Sequence, residues 1–385
     1  MLIEVHMLKN YPPVNLNRDE SGAPKTCFFG GVQRGRISSQ CLKRSWRKSA
    51  LFQSAGNTGI RTRKMPEMIK KQLLEMGVSE DLAETAMVKL SGVVNKKDST
   101  RNDGITKQIV FYSRDEIECL AQRVKEAIDE DKDLETFNAR DLSALSAMID
   151  DAKINPISAD IAFFGRMVTS DYFRDVDASM QVAHAISTHA VNRESDYFTA
   201  IDDLLNHNDK DDLLKSGEEK GASMVDYTDY NSCCYYEYAS IDTDVLLENL
   251  RNSPNPHEIV ERFLPALLQA MAYSNPSGKQ NTFAGQVFPD MVMIECKKNK
   301  LPLSYVNAYE VPVPTWGSNP KVVENSIKKL AEQVNCMDRA YGLPIEARAW
   351  FAPRYAEIQP EKCDRYDCFQ DMVSTCLNWV RGEEK

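Results

Sequence analysis

The sequence of residues 33–48, QRGRISSQCLKRSWRK, contains six positive charges and no acidic residue. Ser38 or Ser39 is a suitable N-cap for a helix that begins beside them. In such a helix, residues four positions apart share a face, so Leu42 and Trp46 would pack together on the apolar side. The other side would carry two cationic pairs, Lys43 with Arg47 and Arg44 with Lys48. The stretch therefore predicts a helix with one basic face.

This basic helix favours the binding of phosphate groups. Backbone N–H groups and hydroxyls at a helix N-terminus attract anions, and Lys25 in the preceding loop adds a further positive charge. Contacts to phosphates hold a nucleic acid strand without reading its bases. A solvated basic face without a ligand is the alternative interpretation of these residues.

The composition of the whole chain is that of an ordinary globular protein. Its 385 residues include 47 Lys and Arg and 57 Asp and Glu, so the formal net charge is −10. This length allows one large domain or two ordinary ones. Because the total charge gives no indication of nucleic acid binding, the local reversal of sign at residues 33–48 is the informative feature.

Several protein classes find no support in the sequence. No apolar run approaches the ~20 residues of a membrane span, and the first residues lack the pattern of a signal peptide. The ten cysteines are scattered and form no C-x-x-C pair, which indicates reduced thiols and argues against structural zinc. Neither G-x-G-x-x-G nor G-x-S-x-G occurs. We expect a cytoplasmic protein without a cofactor or a bound metal.

Apolar periodicity gives a coarse assignment of secondary structure. Alternating apolar side chains predict strands at residues 2–8, 232–241 and 290–295. Apolar residues at helical spacing predict helices over 177–193, 323–337 and 369–380. Residues 10–35 are rich in Pro, Gly and Asn, which is typical of a loop. Residues 64–152 combine helical spacing with dense charge, which predicts a helical insert.

The basic stretch belongs to an ordered series of motifs. They are NLNRD at 15–19, KTCFFGG at 25–31, RISSQCLKRSWR at 36–47, DIAFFGRM at 160–167, QVAHAISTH at 181–189, DYFTAIDD at 196–203 and PSGKQNTF at 276–283. Together they strongly resemble the CasC-type backbone subunit that binds CRISPR RNA in type I-E Cascade, a member of the RAMP superfamily. The resemblance extends to about residue 295. It is weaker over 64–152 and in the last 90 residues.

The resemblance implies an α+β fold with three parts. An RRM-like (ferredoxin-like) palm would comprise residues 1–60, 153–195 and 231–385. A helical finger insertion would comprise 61–152, and a protruding thumb hairpin 196–230. Because residues 200–222 are strongly acidic, we expect the base of the thumb rather than its tip to contact RNA.

The resemblance also implies a function in antiviral defence. Copies of such a subunit polymerise head to tail along CRISPR RNA, hold its backbone and displace a base at regular intervals. The remaining bases can then pair with target DNA. The implied partners are CRISPR RNA, target DNA through the guide, further copies of the chain and the other Cascade subunits. Within this ribonucleoprotein complex the subunit is not an enzyme, and cleavage belongs to a separate nuclease.

Residue by residue, the motif match assigns three sets of contacts. The RNA-backbone contacts would be Lys25, Ser38, Gln40, Lys43, Arg44 and Arg47, with Arg34, Arg36 and Lys48 as weaker candidates. The base-displacing residues would be Met167, Phe198 and Thr199. A loop with Lys279, Gln280 and Asn281 would face the RNA or a neighbouring subunit. A flexible Met and an aromatic ring suit a displaced base because their contacts are tolerant of sequence. Burial in the core is the alternative for Met167 and Phe198.

Two enzymatic interpretations compete with this one. Related backbone subunits of type III effectors are metal-dependent endoribonucleases that use a thumb aspartate, a role open to Asp202 or Asp203. A metalloenzyme would instead use His184, His189, Cys233 or Cys234. On the predicted helix the two histidines are five residues apart and point to different sides, and adjacent cysteines ligate one ion poorly.

Overall fold

The computed structural model describes residues 1–94, 105–106, 109–131, 133–140, 157–168, 173, 175–200 and 224–382. In chain order, the strands are β1 (Leu2–Val14), β2 (Thr26–Phe29), β3 (Val32–Ile37), β4 (Ile60–Thr62), β5 (Val110–Tyr112), β6 (Met180–Val182), β7 (Ala185–Ser187), β8 (Glu194–Ala200), β9 (Met224–Asp242), β10 (Met291–Lys297), β11 (Ala347–Phe351) and β12 (Asp364–Arg365).

Helices flank these strands along the described part of the chain. They are α1 (Ser39–Lys48), α2 (Ala50–Ser54), α3 (Met65–Glu75), α4 (Glu80–Val94), α5 (Arg114–Asp131), α6 (Leu134–Ala139), α7 (Ala159–Phe164), α8 (Thr243–Asn249), α9 (Pro256–Tyr273), α10 (Gln280–Phe283), α11 (Val322–Tyr341) and α12 (Phe369–Arg381). A 3₁₀ turn spans Val306–Tyr309.

One large sheet dominates the described part of the chain. Its strand order is β12-β11-β10-β1-β9-β7-β3-β2, while β6 and β8 also pair with the long strand β9. The pairing is antiparallel except between β11 and β12. The fold therefore mixes helices with a mostly antiparallel sheet, as the α+β prediction requires. Its finer division into an RRM-like palm, a finger and a thumb stays a prediction.

Apolar side chains cover both faces of the central strand β1. Ile3, Val5 and Met7 enter the cluster beneath α1, α2, α7, α8, α9 and α12. Leu8 points to the opposite face, where it joins Trp350 and the apolar side of α11. Successive side chains of a strand point to opposite faces of the sheet. A strand covered by helices on both faces therefore carries apolar side chains at both odd and even positions. Helices α3 to α6 share a third apolar cluster.

Charged side chains are also buried on the second face of β1. The ammonium of Lys297 contacts Glu4 and lies 3.1 Å from a carboxylate oxygen of Glu295. Glu295 in turn accepts a 2.7 Å hydrogen bond from Nε of Arg348. Buried charges are tolerated only when they are paired in this way.

A two-stranded ribbon leaves the sheet at β8. Its strands pair from Glu194 opposite Tyr230 to Ala200 opposite Met224. Most of its described side chains are exposed, including Tyr197 and Tyr227, whose rings meet at 5.3 Å. Residues 201–223, which contain Asp202 and Asp203, lie outside the described residues.

The sequence predicted the central strands and both C-terminal helices, and these elements are confirmed, although β1 continues to Val14 and β9 begins already at Met224. The helix predicted over 177–193 is wrong, because β6 and β7 occupy this segment. A spacing of four residues, as between Val182 and Ile186, is also a multiple of two and fits one face of extended chain. The loop predicted over 10–35 is wrong in part, because it contains β2, β3 and the end of β1.

Candidate nucleic-acid interface

Helix α1 begins at the predicted cap. The Ser38 hydroxyl accepts a 3.3 Å hydrogen bond from the backbone N–H of Cys41, which stabilises the first turn. The Ser38 N–H donates to Oδ1 of Asn17 at 2.9 Å. On the inner side of the helix, Leu42 and Trp46 are buried in the main apolar cluster, as the spacing predicted. Ser38 is itself buried, and the contacts that its hydroxyl and N–H make within the protein are those of a helix cap.

The basic face of α1 divides into two rows with different surroundings. Gln40, Arg44 and Lys48 are four residues apart and exposed. In the second row Lys43 is half-buried and Arg47 is buried. Only the first row is fully open to a ligand in the isolated chain.

The guanidinium of Arg47 is engaged within the protein. It lies 3.6 Å from Oδ2 of Asp160 and 4.7 Å above the ring of Phe111. Asp160 is fully buried and accepts hydrogen bonds from the Gly59 N–H at 2.8 Å and the Ser158 hydroxyl at 2.7 Å. Arg47 thus ties α1 to α7 and β5. The RNA contact proposed for it stays a prediction.

Four further cations around α1 have no acidic partner within the described part of the chain. Among the described residues, no carboxylate forms an ion pair with Lys25, Lys43, Arg44 or Lys48. Partial desolvation, and then the neighbouring Arg47 and Arg44, lower the pKa of the Lys48 ammonium. Burial raises the pKa of the Cys41 thiol, whereas Lys25 and Arg44 oppose this shift, so both cations lie near Cys41. These neighbours create a positive potential that favours an anion.

Two further arginines of the basic stretch are held by the fold. Arg34 is fully buried, and its guanidinium donates to the carbonyl oxygens of Ser187 at 3.0 Å and Tyr309 at 2.7 Å. Arg36 donates to the carbonyl of Thr26 and contacts Nδ1 of His184 at 2.9 Å. Arg34 therefore joins three segments of the fold, and its guanidinium does not reach the surface.

Met167 is among the most exposed apolar side chains that the structure describes. It is 91% exposed, whereas the preceding Arg166 is buried. Gly165 makes the turn between α7 and these residues with φ of +75°, and a Cβ there would lie 2.9 Å from the Val176 carbonyl oxygen. The alternative that Met167 is a core residue is therefore wrong. Phe198 is 39% exposed on β8.

The segment predicted as a loop at Lys279 is in part the short helix α10, which contains Gln280 and Asn281, and it packs beside the base of the ribbon. A Cβ on Gly278 would lie only 2.3 Å from the Leu16 carbonyl oxygen, so the loop and the N-terminal motif touch closely. The Phe283 ring lies 5.7 Å from that of Tyr230 at the start of the ribbon. Asn281 is exposed, Lys279 is half-buried, and Thr199 lies exposed on the ribbon itself. The structure thus brings together two of the sequence motifs, residues 15–19 and 276–283, beside the base of the ribbon.

Sequence reasoning missed the positioning role of Asn17 and Asp160. Both belong to motifs quoted above: Asn17 orients the N-cap Ser38, and Asp160 orients Arg47 of α1, each through a side-chain oxygen. A buried acid opposite a basic helix is the signal that could have suggested Asp160. Sequence alone could not pair it with Arg47, which lies 113 positions earlier in the chain.

A family model described as CT1975-like protein matches residues 3–375 of the chain. The chain belongs to this family. No curated protein matches it significantly.

Solved structures resemble this CT1975-like protein over nearly its whole length. A chain described as "CRISPR RNA-guided surveillance complex, pre-nicking" shares 23% identity and gives a TM-score of 0.78, covering 99% of this chain and 100% of that one. A second, described as "CRISPR RNA-guided surveillance complex", shares 20% identity with a TM-score of 0.69 and covers 98% and 100%. At these identities the likeness establishes the fold.

The metal ligands considered from the sequence do not converge in the CT1975-like protein. His184 lies on the surface beside Arg36, whereas Nε2 of His189 accepts a 3.1 Å hydrogen bond from the Cys234 N–H. Burial raises the pKa of the Cys233 and Cys234 thiols to about 12. Protonated thiols are poor metal ligands, and among the described residues these four side chains do not form a group that could share one ion.

A second group of possible ligands lies beneath the sheet. Glu4, His6 and Glu295 are close enough to share an ion, but all three are buried. Lys297 and Arg348 already balance the two carboxylate charges. Burial lowers the pKa of His6 to about 3, so its ring is neutral. In this network the protein's own cations supply the positive charge that neutralises the buried carboxylates.

No helix in the described part of the chain combines the length and the apolar character that a bilayer span needs.

Proposed function

We propose that this CT1975-like protein is the backbone subunit of a CRISPR RNA-guided surveillance complex of the type I-E kind. It polymerises head to tail along CRISPR RNA in the cytoplasm and presents the guide to target DNA. The descriptions of the two similar solved structures and the ordered sequence motifs support this proposal.

The observation that carries the proposal is the exposed row on α1. Gln40, Arg44 and Lys48 lie along one side of a helix, and no carboxylate among the described residues pairs with either cation. In a protein of net charge −10, a row of exposed cations without acidic partners among the described residues creates a local positive potential that attracts an anion. A phosphate backbone supplies regularly spaced anions.

The chemistry of this row suits a guide of any sequence. Arginine, lysine and amide side chains bind phosphate oxygens and leave the base edges free. A subunit that must accept every spacer needs this kind of contact, since base pairing with the target carries the sequence information.

In this proposal the exposed apolar residues displace bases of the guide. Met167 projects into solvent, and Phe198 is partly exposed on the ribbon. An apolar side chain in contact with an unstacked base binds all four bases by dispersion and stacking. We assign Met167, Phe198 and Thr199 to the point where one base leaves the guide stack.

The ribbon of β8 and β9 provides the contact between successive copies. It leaves the sheet and exposes Tyr197, Met224, Val225 and Tyr227. A head-to-tail filament is a heterologous assembly, so a projecting element of one copy meets a different surface of the next. The subunit itself is not an enzyme in this proposal, needs no cofactor, and relies on a separate nuclease.

The test is co-expression of the tagged chain with its candidate complex partners and a CRISPR array. After nuclease treatment, the RNA that remains bound is sequenced. We expect protected spacer-containing RNA in a large assembly. Recovery of the chain without RNA, although the partners are intact, would contradict the proposal. Metal-dependent cleavage of a complementary RNA by the assembly would instead favour the endoribonuclease.

A further inference from the structure

A polar cavity of about 320 Å³ opens beside the C-terminal end of α1. Hydrogen-bond donors line it: Lys48, Gln53, Asn57, Thr58 and Arg114. The rest of its wall is the short loop before β4. No carboxylate of the described residues belongs to the lining.

Three separate segments build this cavity. Lys48 ends α1, Asn57 lies in the loop between α2 and β4, and Arg114 begins α5. The loop is fixed because the Gly59 N–H donates to the buried carboxylate of Asp160 at 2.8 Å. Next to it, Ile60 pairs with Tyr112 in the small β4–β5 sheet. The cavity wall is therefore anchored to the fold.

The charges at the cavity all have one sign. Lys48 and Arg114 lie close enough to repel each other, and Arg44 and Arg47 add to this repulsion. The carboxylate that opposes them is Asp160, which is fully buried and already bonded to Gly59 and Ser158. Lys48 and Arg114 form no ion pair with any described residue. An anion in the cavity would relieve this repulsion.

We infer that this cavity binds a phosphodiester group of a nucleic acid strand. Two cations surrounded by neutral amide and hydroxyl donors match the oxygens of a phosphate, and the lining has too little apolar surface to hold a base. The cavity continues the exposed row from Arg44 to Lys48. A strand held along α1 therefore runs into it and reaches the first residue of α5.

This inference rests on the proposed function and extends the phosphate contacts beyond α1. It adds Arg114, Asn57, Gln53 and Thr58, none of which belongs to the motifs of the sequence. The same phosphate chemistry occurs in guide RNA and in duplex DNA, so the experiment includes both.

The experiment measures binding of the full-length chain to single-stranded RNA and to duplex DNA of arbitrary sequence by fluorescence anisotropy. Each titration is repeated over a series of NaCl concentrations. The variants are Arg114→Gln, which removes a cation, and Asn57→Asp, which places an acid in the cavity. Lys71→Gln is the matched control, because Lys71 is exposed and lies 3.8 Å from Glu75.

For Arg114→Gln we expect the log–log salt slope to flatten by one phosphate contact, while the control leaves it unchanged. The expected change is roughly 0.7 if the strand is RNA and roughly 0.9 if it is duplex DNA. Asn57→Asp weakens binding of the same strand. Arg44→Gln, combined with Arg114→Gln, gives the sum of the two slope changes.

Two results would overturn the inference, and they differ in meaning. If the unaltered chain binds RNA but Arg114→Gln and Asn57→Asp both behave like Lys71→Gln, the cavity is not a phosphate site and the proposed function stands. If the unaltered chain binds neither strand, the proposed function and the inference fail together. Thermal unfolding of each variant shows that a loss of binding is not a loss of fold.

Discussion

The guanidinium of Arg166 and the carboxylate of Glu116 form a buried two-point ion pair, with hydrogen bonds of 2.7 and 2.9 Å. Arg166 also donates to the Phe111 carbonyl, and Glu116 accepts from the Ser113 N–H. These bonds hold the segment after α7 against the start of α5. With Arg166 held inside, its neighbour Met167 is turned outward into solvent.

Removing this ion pair should destabilise the fold strongly. Glu116→Ala leaves the Arg166 charge buried without its partner, which costs about 3–5 kcal/mol of unfolding free energy. Urea denaturation at equilibrium measures the change. Glu118→Ala, on the exposed side of the same helix, should change the unfolding free energy by no more than about 0.5 kcal/mol. Equal effects of the two variants would refute the assigned role.

Arg47 should matter for stability as well as for any contact with RNA. Arg47→Met leaves the fully buried Asp160 without a cation and should cost about 3 kcal/mol of unfolding free energy. Adding Asp160→Asn removes the unpaired charge and should restore part of that loss. A double variant that is less stable than the sum of the two single effects would contradict this pairing.

The exposed row on α1 should control RNA affinity without affecting the fold. Arg44→Glu with Lys48→Glu should weaken binding of every RNA sequence equally. The log–log salt slope should flatten by roughly 0.7 for each lost phosphate contact. Charge reversal at Lys71 and Lys328, which pair with Glu75 and Glu324, is the matched control. Unchanged affinity in the folded α1 variant would exclude this row as the phosphate site.

Replacing Met167 should change the displacement of guide bases but not the stability of the fold. Because it is 91% exposed, Met167→Ala should leave the unfolding free energy within about 0.5 kcal/mol of the unaltered chain. In the assembled complex, chemical probing of the RNA should show a weaker periodic pattern of displaced bases. Leu301→Ala, at an apolar residue that is 60% exposed and has no assigned role, serves as the comparison. An identical probing pattern in both variants would remove Met167 from the displacement site.

Stability should depend on pH through His6. Burial lowers the pKa of His6 to about 3, against 6.5 in the unfolded chain. Between these values the unfolded state binds a proton that the folded state does not. Stability from this group is therefore complete above pH 6.5 and declines as the pH falls toward 3, by up to about 1.4 kcal/mol per pH unit.

His6→Gln should remove this contribution. We expect a shallower loss of unfolding free energy between pH 6.5 and 4.5 in the variant, measured by urea denaturation at each pH. Glu4 and Glu237, whose pKa values burial raises, titrate in both proteins. The difference between the two profiles therefore isolates His6. Parallel profiles would show that His6 does not titrate differently on folding.

Much of the candidate site was predictable because it depends on local rules. The Ser38 cap and the inward side of α1 follow from positions within one helix. The pair Gly30–Gly31 is also a local signal, because two adjacent glycines favour a two-residue hairpin turn, and it joins β2 to β3 within the segment 10–35 for which a loop is predicted. The segment of β6 and β7 could not be assigned with the same certainty, since its spacing fits both helix and strand.

The sequence by itself determined where the basic helix begins, which side faces the core and which strands are central. These features depend on the period of apolar residues and on capping by near neighbours. Only the tertiary structure decided which cations are free. Arg34 is buried and bonded to the carbonyl of Tyr309, and Arg47 is buried and paired with Asp160. Both partners lie far away in the sequence. Arg44, in contrast, stays exposed. Charge is a property of the residue, but its availability depends on long-range contacts that pair and bury it.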